Sequence, residues 1–427
     1  MSSLPCPRLA HRLWMISKSL MRSEMIEVRA GQVLSGRLTR TAMQRFAFTY
    51  LPDAPAEASV SLTMPVRSES WTYAWGLHPI FQMNIPEGAL RLHLENMLAK
   101  AVPDFDDLEL LRVTGRSHIG RLSYGVPGAV TDALPAAVSV EEILTYDGAE
   151  DLFRDLLERF ARFSGVSGVQ PKVLVRATEG LKLSPDHKVT LQAATHIVKT
   201  WDERYPELAL NEHFCLLAAQ KCGLAVPNWS VSENGRFLVL DRFDLDEQGQ
   251  YLGLEDFCVL QGLGTKDKYS GSYEQLAKII KAFVSSEGQN QALRAFFKMV
   301  ALSVGLRNGD AHRKNFCVLY DSPVLRQGQL APTFDLITTT AYLPHDSMAL
   351  LLRGSKRWPS RSELQDFATK ACALTAREAE VALGEVESGI VLARADLQDR
   401  VQAGGAFADI GAKMLAAWAE GLLAITR

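Results

Sequence analysis

Along the first quarter of the chain apolar and polar residues alternate at a spacing of two. Ile26-Glu27-Val28-Arg29-Ala30 and Gln32-Val33-Leu34 flank a turn at Gly31, and Phe46-Ala47-Phe48-Thr49-Tyr50 repeats the alternation, the pattern of strands with one buried face. A short strand is expected over 59–64. At Pro86-Glu87-Gly88 the period changes, and Leu90, Leu94, Met97 and Leu98 share one helical face. Residues 25–125 therefore read as mostly β with one helix, and the Pro/Gly/Ala-rich stretch 125–137 reads as a linker. Next, Leu152, Phe153, Leu156, Leu157, Phe160 and Phe163 mark an amphipathic helix. Strands follow at 173–175 and 196–200, then a helix over 208–222 closed by Gly223 and a hairpin over 231–241 around Asn234-Gly235. From about 250 the chain is largely helical, with 3.6-period faces over 276–283, 292–306, 361–373 and 410–425. Its one β interruption is 316–334.

At 427 residues the chain can bury a large core and divide into two or three domains. Lys and Arg (46) do not outnumber Asp and Glu (49), which argues against a general nucleic-acid binder. No apolar run approaches the roughly 18–20 residues that span a bilayer. Residues 1–24 read as a disordered extension or a misassigned start, with Met21 and Met25 as other starts; Arg8, Arg12 and the patch Leu13-Trp14-Met15-Ile16 are a weak targeting pattern. Six cysteines without a C-x-x-C pair read as reduced thiols of a cytoplasmic protein. The expected division is 1–24 extension, 25–137 β-rich subdomain, 138–244 small lobe and 245–427 helical large lobe.

The richest segment chemically is Asn308-Gly309-Asp310-Ala311-His312-Arg313-Lys314-Asn315, followed by Thr333-Phe334-Asp335. If the strands near 316–320 and 329–331 pair about residue 325, Asn315 and Asp335 fall opposite each other, roughly 4.5–5.5 Å apart at Cβ. An amide and a carboxylate at that separation suit Mg²⁺, which takes one or two protein ligands plus phosphates. Asp310 would then orient or deprotonate an acceptor hydroxyl; the alternative is that these residues only cap turns. His312 either binds the loop together or touches phosphate, and Lys314 either neutralises phosphate or is a solvated charge. In the loop Ser164-Gly165-Val166-Ser167-Gly168-Val169-Gln170-Pro171-Lys172 the glycines let backbone N–H groups face phosphate oxygens, although no Walker-A pattern is present. Lys172 and Lys199 are candidate phosphate cations. Lys199 stands on an apolar strand, where a buried ammonium needs a partner; Glu212 on the next helix is that partner or a surface carboxylate. Asp241-Arg242-Phe243 lies where a hinge between lobes would bind adenine.

These motifs in this order resemble the HipA family of serine/threonine kinases, the toxins of bacterial toxin–antitoxin pairs, over roughly 25–420. The resemblance runs through Ile85-Pro86-Glu87-Gly88, 115–120, 167–172, 241–244, Glu255-Asp256-Phe257-Cys258, 308–316 and 331–335. It implies an α+β, two-lobed protein-kinase-like fold with an N-terminal β-rich subdomain packed on the small lobe. It further implies Asp310 as catalytic base, Asn315 and Asp335 as Mg²⁺ ligands, and Lys199 on ATP phosphates. Residues 165–170 would cover those phosphates, and 241–243 would bind adenine. Family toxins phosphorylate a protein, typically an aminoacyl-tRNA synthetase, and are restrained by a small helix-turn-helix, HipB-like antitoxin through which alone they reach DNA. The chain departs from the family where a self-phosphorylated serine commonly stands: that position is Gly165, leaving Ser167 first and Ser164 second as candidates. Other readings are a small-molecule or lipid kinase, or a non-catalytic kinase-fold antitoxin or regulator. The oligomeric state is not legible.

Overall fold

In the N-terminal part, β1 (Met25–Ala30), β2 (Val33–Thr41), β3 (Arg45–Tyr50), β4 (Trp71–Thr72) and β5 (Leu122–Gly125) form an antiparallel sheet in the order β4-β3-β2-β1-β5. The structure, a computed structural model, describes residues 24–427 except 42–44, 99–104, 116, 128–134, 149–150, 169, 179–193 and 326. Residues 1–23 of the expected extension (1–24), the middle of the expected linker, Arg116 and Val169 thus lie outside the described residues. The alternation read from the sequence is real: Ile26, Val28 and Ala30 are buried. Helices α1 (Pro79–Gln82), α2 (Gly88–Leu98) and α3 (Asp107–Thr114) close that core through Phe81, Leu90, Leu94 and Leu111. The strand expected over 59–64 is absent. That segment turns instead, with Val60 N–H donating to the Tyr50 hydroxyl at 2.9 Å and Leu62 N–H donating to Glu255 at 2.7 Å.

Helices α4 (Val140–Leu144) and α5 (Leu152–Phe160) lead into β6 (Lys172–Val175) and β7 (His196–Lys199), then α6 (Leu208–Lys221), β8 (Trp229–Val231) and β9 (Leu238–Asp241). The strands order as β6-β7-β9-β8. Val173, Val175, Val198 and Val239 face α4 and α5. Strand alternation turns Lys199 to the opposite face.

The remainder is mainly helical: α7 (Tyr273–Phe283), α8 (Gln289–Gly305), α9 (Arg361–Lys370), α10 (Ala376–Gln402) and α11 (Ala408–Thr426). Capping boxes at Ser272, Ser360 and Thr375 fix three of the starts. The sequence reading overlooked α10, the longest of these, because much of its buried stripe is alanine and two glycines weaken the pattern. Gly389 is required there, since a Cβ would stand 2.4 Å from Cys222 Sγ at the end of α6. Among the described residues no helix is long and apolar enough to cross a membrane.

A third sheet, in this half, made of β10 (Gly253–Asp256), β11 (Cys317–Tyr320) and β12 (Gln329–Leu330), corrects the expectation of a single β interruption. Its register also differs from the expected one. Val318 pairs with Leu330 and Leu319 with Gln329, so the symmetry centre is residue 324 and Asp335 does not lie opposite Asn315. The hairpin stops because Thr333 N–H donates across to Ala225 O at 2.7 Å, while residues 313–315 curl into a 3₁₀ turn.

The N-terminal part packs against more than the small lobe. Its core includes Leu174 on β6 but also Leu254 on β10 and Cys317 on β11. Fully buried Glu255 accepts from Ser61 Oγ (2.7 Å) and the Tyr320 hydroxyl (2.6 Å). Buried Asp244 accepts from Gly120 N–H (2.6 Å) and from both arms of Arg242 (2.9 and 2.6 Å), which also donates to His118 O (2.7 Å). Breaking a buried pair of this kind costs about 3–5 kcal/mol, because the surviving charge is left uncompensated. Arg242→Ala should therefore lower the thermal unfolding midpoint by several degrees and expose the 115–120 segment to limited proteolysis. An unchanged midpoint would show that the clamp is dispensable.

Candidate active site

A buried ammonium organises the cleft. Lys199, on the inner face of β7, donates to Glu212 Oε1 on α6 at 2.6 Å and to Asp335 Oδ1 at 2.7 Å. Lys172 from β6 approaches the same Asp335 oxygen at 3.9 Å. Burial works against ionisation of Asp335, yet Lys172 and Lys199 outweigh it and hold its carboxyl far below the usual range. Burial likewise opposes the Lys199 charge, but Asp335 and Glu212 push its pKa up. Lys172, with weaker compensation, is shifted down by burial. Asp335 has φ of 55°, a left-handed conformation that costs a residue with a Cβ roughly 1–2 kcal/mol and persists here under its two ammonium contacts.

Asn315 reaches Asp335 despite the shifted register: its Nδ2 donates to the Asp335 carbonyl at 3.3 Å, while its Oδ1 accepts from His312 N–H at 3.1 Å. One lone pair of that amide oxygen is thus engaged and one remains. Asp310 lines the same cleft, of about 510 Å³, together with Lys172, Lys199, Asp335, Ser167 and Phe243. Its carboxyl is pushed up to about 6, by burial first and by Asp335, against a lowering hydrogen bond from Tyr269. Gly309 gives Asp346 close access, since a Cβ there would be 2.1 Å from Asp346 Oδ2.

Several expectations need correction. Ser164 is fully buried and its hydroxyl is used twice, donating to Phe160 O at 2.8 Å and accepting from Leu174 N–H at 2.9 Å, so it is a core residue and not an accessible phosphorylation site. Ser167 does face the cleft. Lys314 is no solvated charge: its side chain is only 8% exposed and donates to Glu87 of the N-terminal part. His312 is driven down to about 3 by burial and nearby Lys268, so it is neutral near pH 7 and offers phosphate no cation. The side chain of Asp241 points to His196 Nε2 (3.1 Å) and Asn228, away from the cleft. Arg242 and Phe243 both line the cleft, but the guanidinium of Arg242 is engaged by Asp244, while Phe243 lies tilted against Phe334 with ring centroids 5.3 Å apart.

Gly165 is buried and lines no part of the cleft. A Cβ there would lie 1.8 Å from His118 Cδ2, and its N–H donates to Ser117 O at 2.7 Å. A serine at this position would therefore clash with His118 as it stands. Gly168, by contrast, makes room for a cation: a Cβ would meet Lys172 Nζ at 2.5 Å. Of the cleft residues, Tyr269, Lys268, Asp346 and Glu87 were not singled out as site residues. They come from polar loops without periodicity, and only the tertiary arrangement brings them to Asp310 and Lys314.

Comparison with known proteins identifies the family and the fold. The signature of the HipA-like C-terminal domain matches residues 164–393, and that of the HipA N-terminal domain matches 26–125. A Sinorhizobium fredii protein provisionally named kinase Y4mE is 35% identical over 321 residues, spanning 70% of this chain and 72% of its own length. A second from that organism, provisionally kinase Y4dM, is 26% identical over 318 residues, spanning 69% and 70%. In a solved Shewanella oneidensis complex of the toxin–antitoxin system HipA, HipB and its operator DNA, one chain superposes with a TM-score of 0.65. The match covers 94% of this chain and 96% of that one at 20% identity, which shows a shared fold.

The contact at Gly165 is directly testable. Gly165→Ser should overpack the His118 site and cost about 1–3 kcal/mol, read as a lowered unfolding midpoint, and His118→Ala in the same chain should recover much of the loss. An unaltered midpoint for Gly165→Ser alone would show that the loop has room for a side chain.

Proposed function

The chain belongs to the HipA family, and on that premise we propose that it is an ATP- and Mg²⁺-dependent kinase that phosphorylates serine or threonine on a protein. The observation that carries this reading is the convergence of Lys199, Asp335 and Asp310 on one cleft, with Glu212 beneath the lysine. The family resemblance implies an aminoacyl-tRNA synthetase as acceptor and growth arrest as the outcome. The proposed partner is a small HipB-like antitoxin, in keeping with the HipA–HipB–DNA composition of the Shewanella complex.

Asp335 and Asn315 are the oxygen donors that would hold Mg²⁺, which takes few protein ligands when phosphates and water complete its shell. Lys172 and Lys199 favour the carboxylate form of Asp335, and the free lone pair of Asn315 Oδ1 suits a hard cation. When bound, the ion would offset negative charge on the transferring phosphate. Lys199 and Lys172 supply positive charge against phosphate oxygens. Gly168 and Ser167 border that space. Asp310 accepts the proton of the acceptor hydroxyl as the new oxygen–phosphorus bond forms. A carboxyl that titrates near neutrality is suited to this exchange. A non-catalytic regulator would have no use for a base candidate so tuned in a cleft that also holds two cations at Asp335.

Asp335→Ala should abolish the Mg²⁺ dependence of nucleotide binding, measured by titration with a fluorescent ATP analogue with and without the ion. Metal-independent binding by both proteins would sink the catalytic reading. Asp310→Ala should leave nucleotide affinity within a few fold and reduce phosphoryl transfer by at least about 100-fold. Since Asp310 acts as its carboxylate, the wild-type rate should fall as pH drops through about 6. A rate flat from pH 5 to 8, about the span bracketing that value, would remove Asp310 as the base.

A further inference from the structure

We propose that Tyr269 is a positioning residue for phosphoryl transfer, its phenol holding one oxygen of the Asp310 carboxylate so that the other faces the acceptor hydroxyl. The inference rests on the kinase reading above, in which Asp310 receives the acceptor proton. The Tyr269 hydroxyl donates to Asp310 Oδ1 at 2.5 Å. Among the described residues Asp310 Oδ2 carries no hydrogen bond, and Asp310 borders the cleft. A carboxylate rotates freely about its last bond unless one oxygen is tied, and this phenol ties it.

The two residues are also fixed relative to each other through their backbones. Arg313, three positions after Asp310, donates from its N–H to Lys268 O (3.2 Å) and from Nε to Ser270 O (2.7 Å), bracketing Tyr269 on both sides. Lys356 Nζ donates to Tyr269 O at 3.1 Å. Gly271 is needed for this fit, as a Cβ there would stand 1.9 Å from Arg313 Nη2. The Tyr269 ring meets His312 edge-on, with centroids 5.0 Å apart. With its backbone bracketed and one ring edge against His312, the phenol is held at Asp310 although the residue is 44% exposed.

The charge pattern agrees. Asp310 is faced by Tyr269, Lys268, His312 (Nε2 at 4.0 Å), Asp335 and Asp346. Burial, Asp335 and Asp346 raise its pKa, while the Tyr269 hydrogen bond and Lys268 lower it. Burial and Asp310 keep Tyr269 protonated well above the usual range for a phenol. In the transfer step the acceptor oxygen bonds to the γ-phosphorus, the bond from that phosphorus to the bridging oxygen breaks, and ADP departs. The acceptor proton passes to Asp310 Oδ2, and Tyr269 keeps its own proton throughout.

The test compares full-length wild type, Tyr269→Phe and Asp310→Ala, using ADP release from MgATP with water as acceptor and the fluorescent ATP analogue for binding. Phenylalanine retains the ring packing, and an unchanged unfolding midpoint checks that it does. Tyr269→Phe should bind the analogue within about threefold of wild type and release ADP roughly 10-fold or more slowly at its optimum. Its acid limb should move to higher pH, because a lowering hydrogen bond is gone. A slower variant with the acid limb unmoved would make Tyr269 merely structural. A rate at or above wild type would make the phenol a competitor for the acceptor's place, and phosphate found on Tyr269 by mass spectrometry would make it an acceptor; either overturns the proposal. If wild type itself releases no ADP, or Asp310→Ala releases it as fast, the kinase reading fails, and that result is distinct from any effect of Tyr269.

Discussion

The ammonium of Lys199 can be buried only because two carboxylates come to it from different parts of the chain. An uncompensated charge at that depth would cost several kcal/mol, so β7 is stable in its place only with α6 delivering Glu212 and the segment after β12 delivering Asp335. The small sheet and the helical half are thereby joined across the cleft by electrostatics as well as by apolar packing. The arrangement is asymmetric. Glu212 has Oε2 buried without a partner among the described residues, and burial raises its pKa. Asp335 carries the better-compensated charge and the exposed edge. The pair therefore presents one carboxylate as an anchor and the other as the group open to a ligand.

The N-terminal part belongs to this site and is more than an appended module. Its Glu87 accepts from Lys314 and approaches Lys268 at 3.8 Å, touching the loop of Asp310 and the loop of Tyr269 together. Burial raises the Glu87 pKa, yet the lysines prevail and hold it down. The carboxylate therefore remains ionised and keeps both loops in register. Glu255 and Asp244 tie the same part to β10 and to the hinge. A ligand entering the cleft thus meets a wall built by both halves of the chain, and a shift of the N-terminal part would be felt at Lys314 before anywhere else.

The sequence was most legible where one periodicity dominates. The alternation over 26–50 and the apolar stripes of α5, α7 and α8 were visible because burial follows a simple spacing there. The Lys199–Glu212 pair was also foreseeable, since an ammonium on an apolar strand demands a carboxylate. The hairpin argument reached a correct neighbourhood by an incorrect register. Asn315 does contact Asp335, but through a 3₁₀ turn and a crossing bond from Thr333 to Ala225, neither of which leaves a local signal. Long-range constraints were hidden for the same reason. That His118 forbids a side chain at 165, or that Arg242 is spent on Asp244, depends on residues more than forty positions away or on burial that no spacing reveals. Ser164 looked accessible because small polar loops usually are; here its hydroxyl stitches α5 to β6.

Two carboxylates in one cleft have been driven in opposite directions by their surroundings, and the divergence bears on what each can do. Asp335 sits among ammonium groups that favour its charged form, which makes it a poor proton acceptor and suits it to cations. Asp310 lies against burial and other acids, titrates near 6, and can both lose and take a proton under ordinary conditions. The cations are distributed to match: Lys172 and Lys199 stand at Asp335, while Asp310 is hydrogen-bonded by a neutral phenol and feels the ammonium of Lys268. Had a lysine replaced Tyr269 beside Asp310, the carboxyl would be driven down and its basicity lost. A neutral hydrogen-bond donor at Asp310 is therefore as much a requirement of the site as the cations at Asp335.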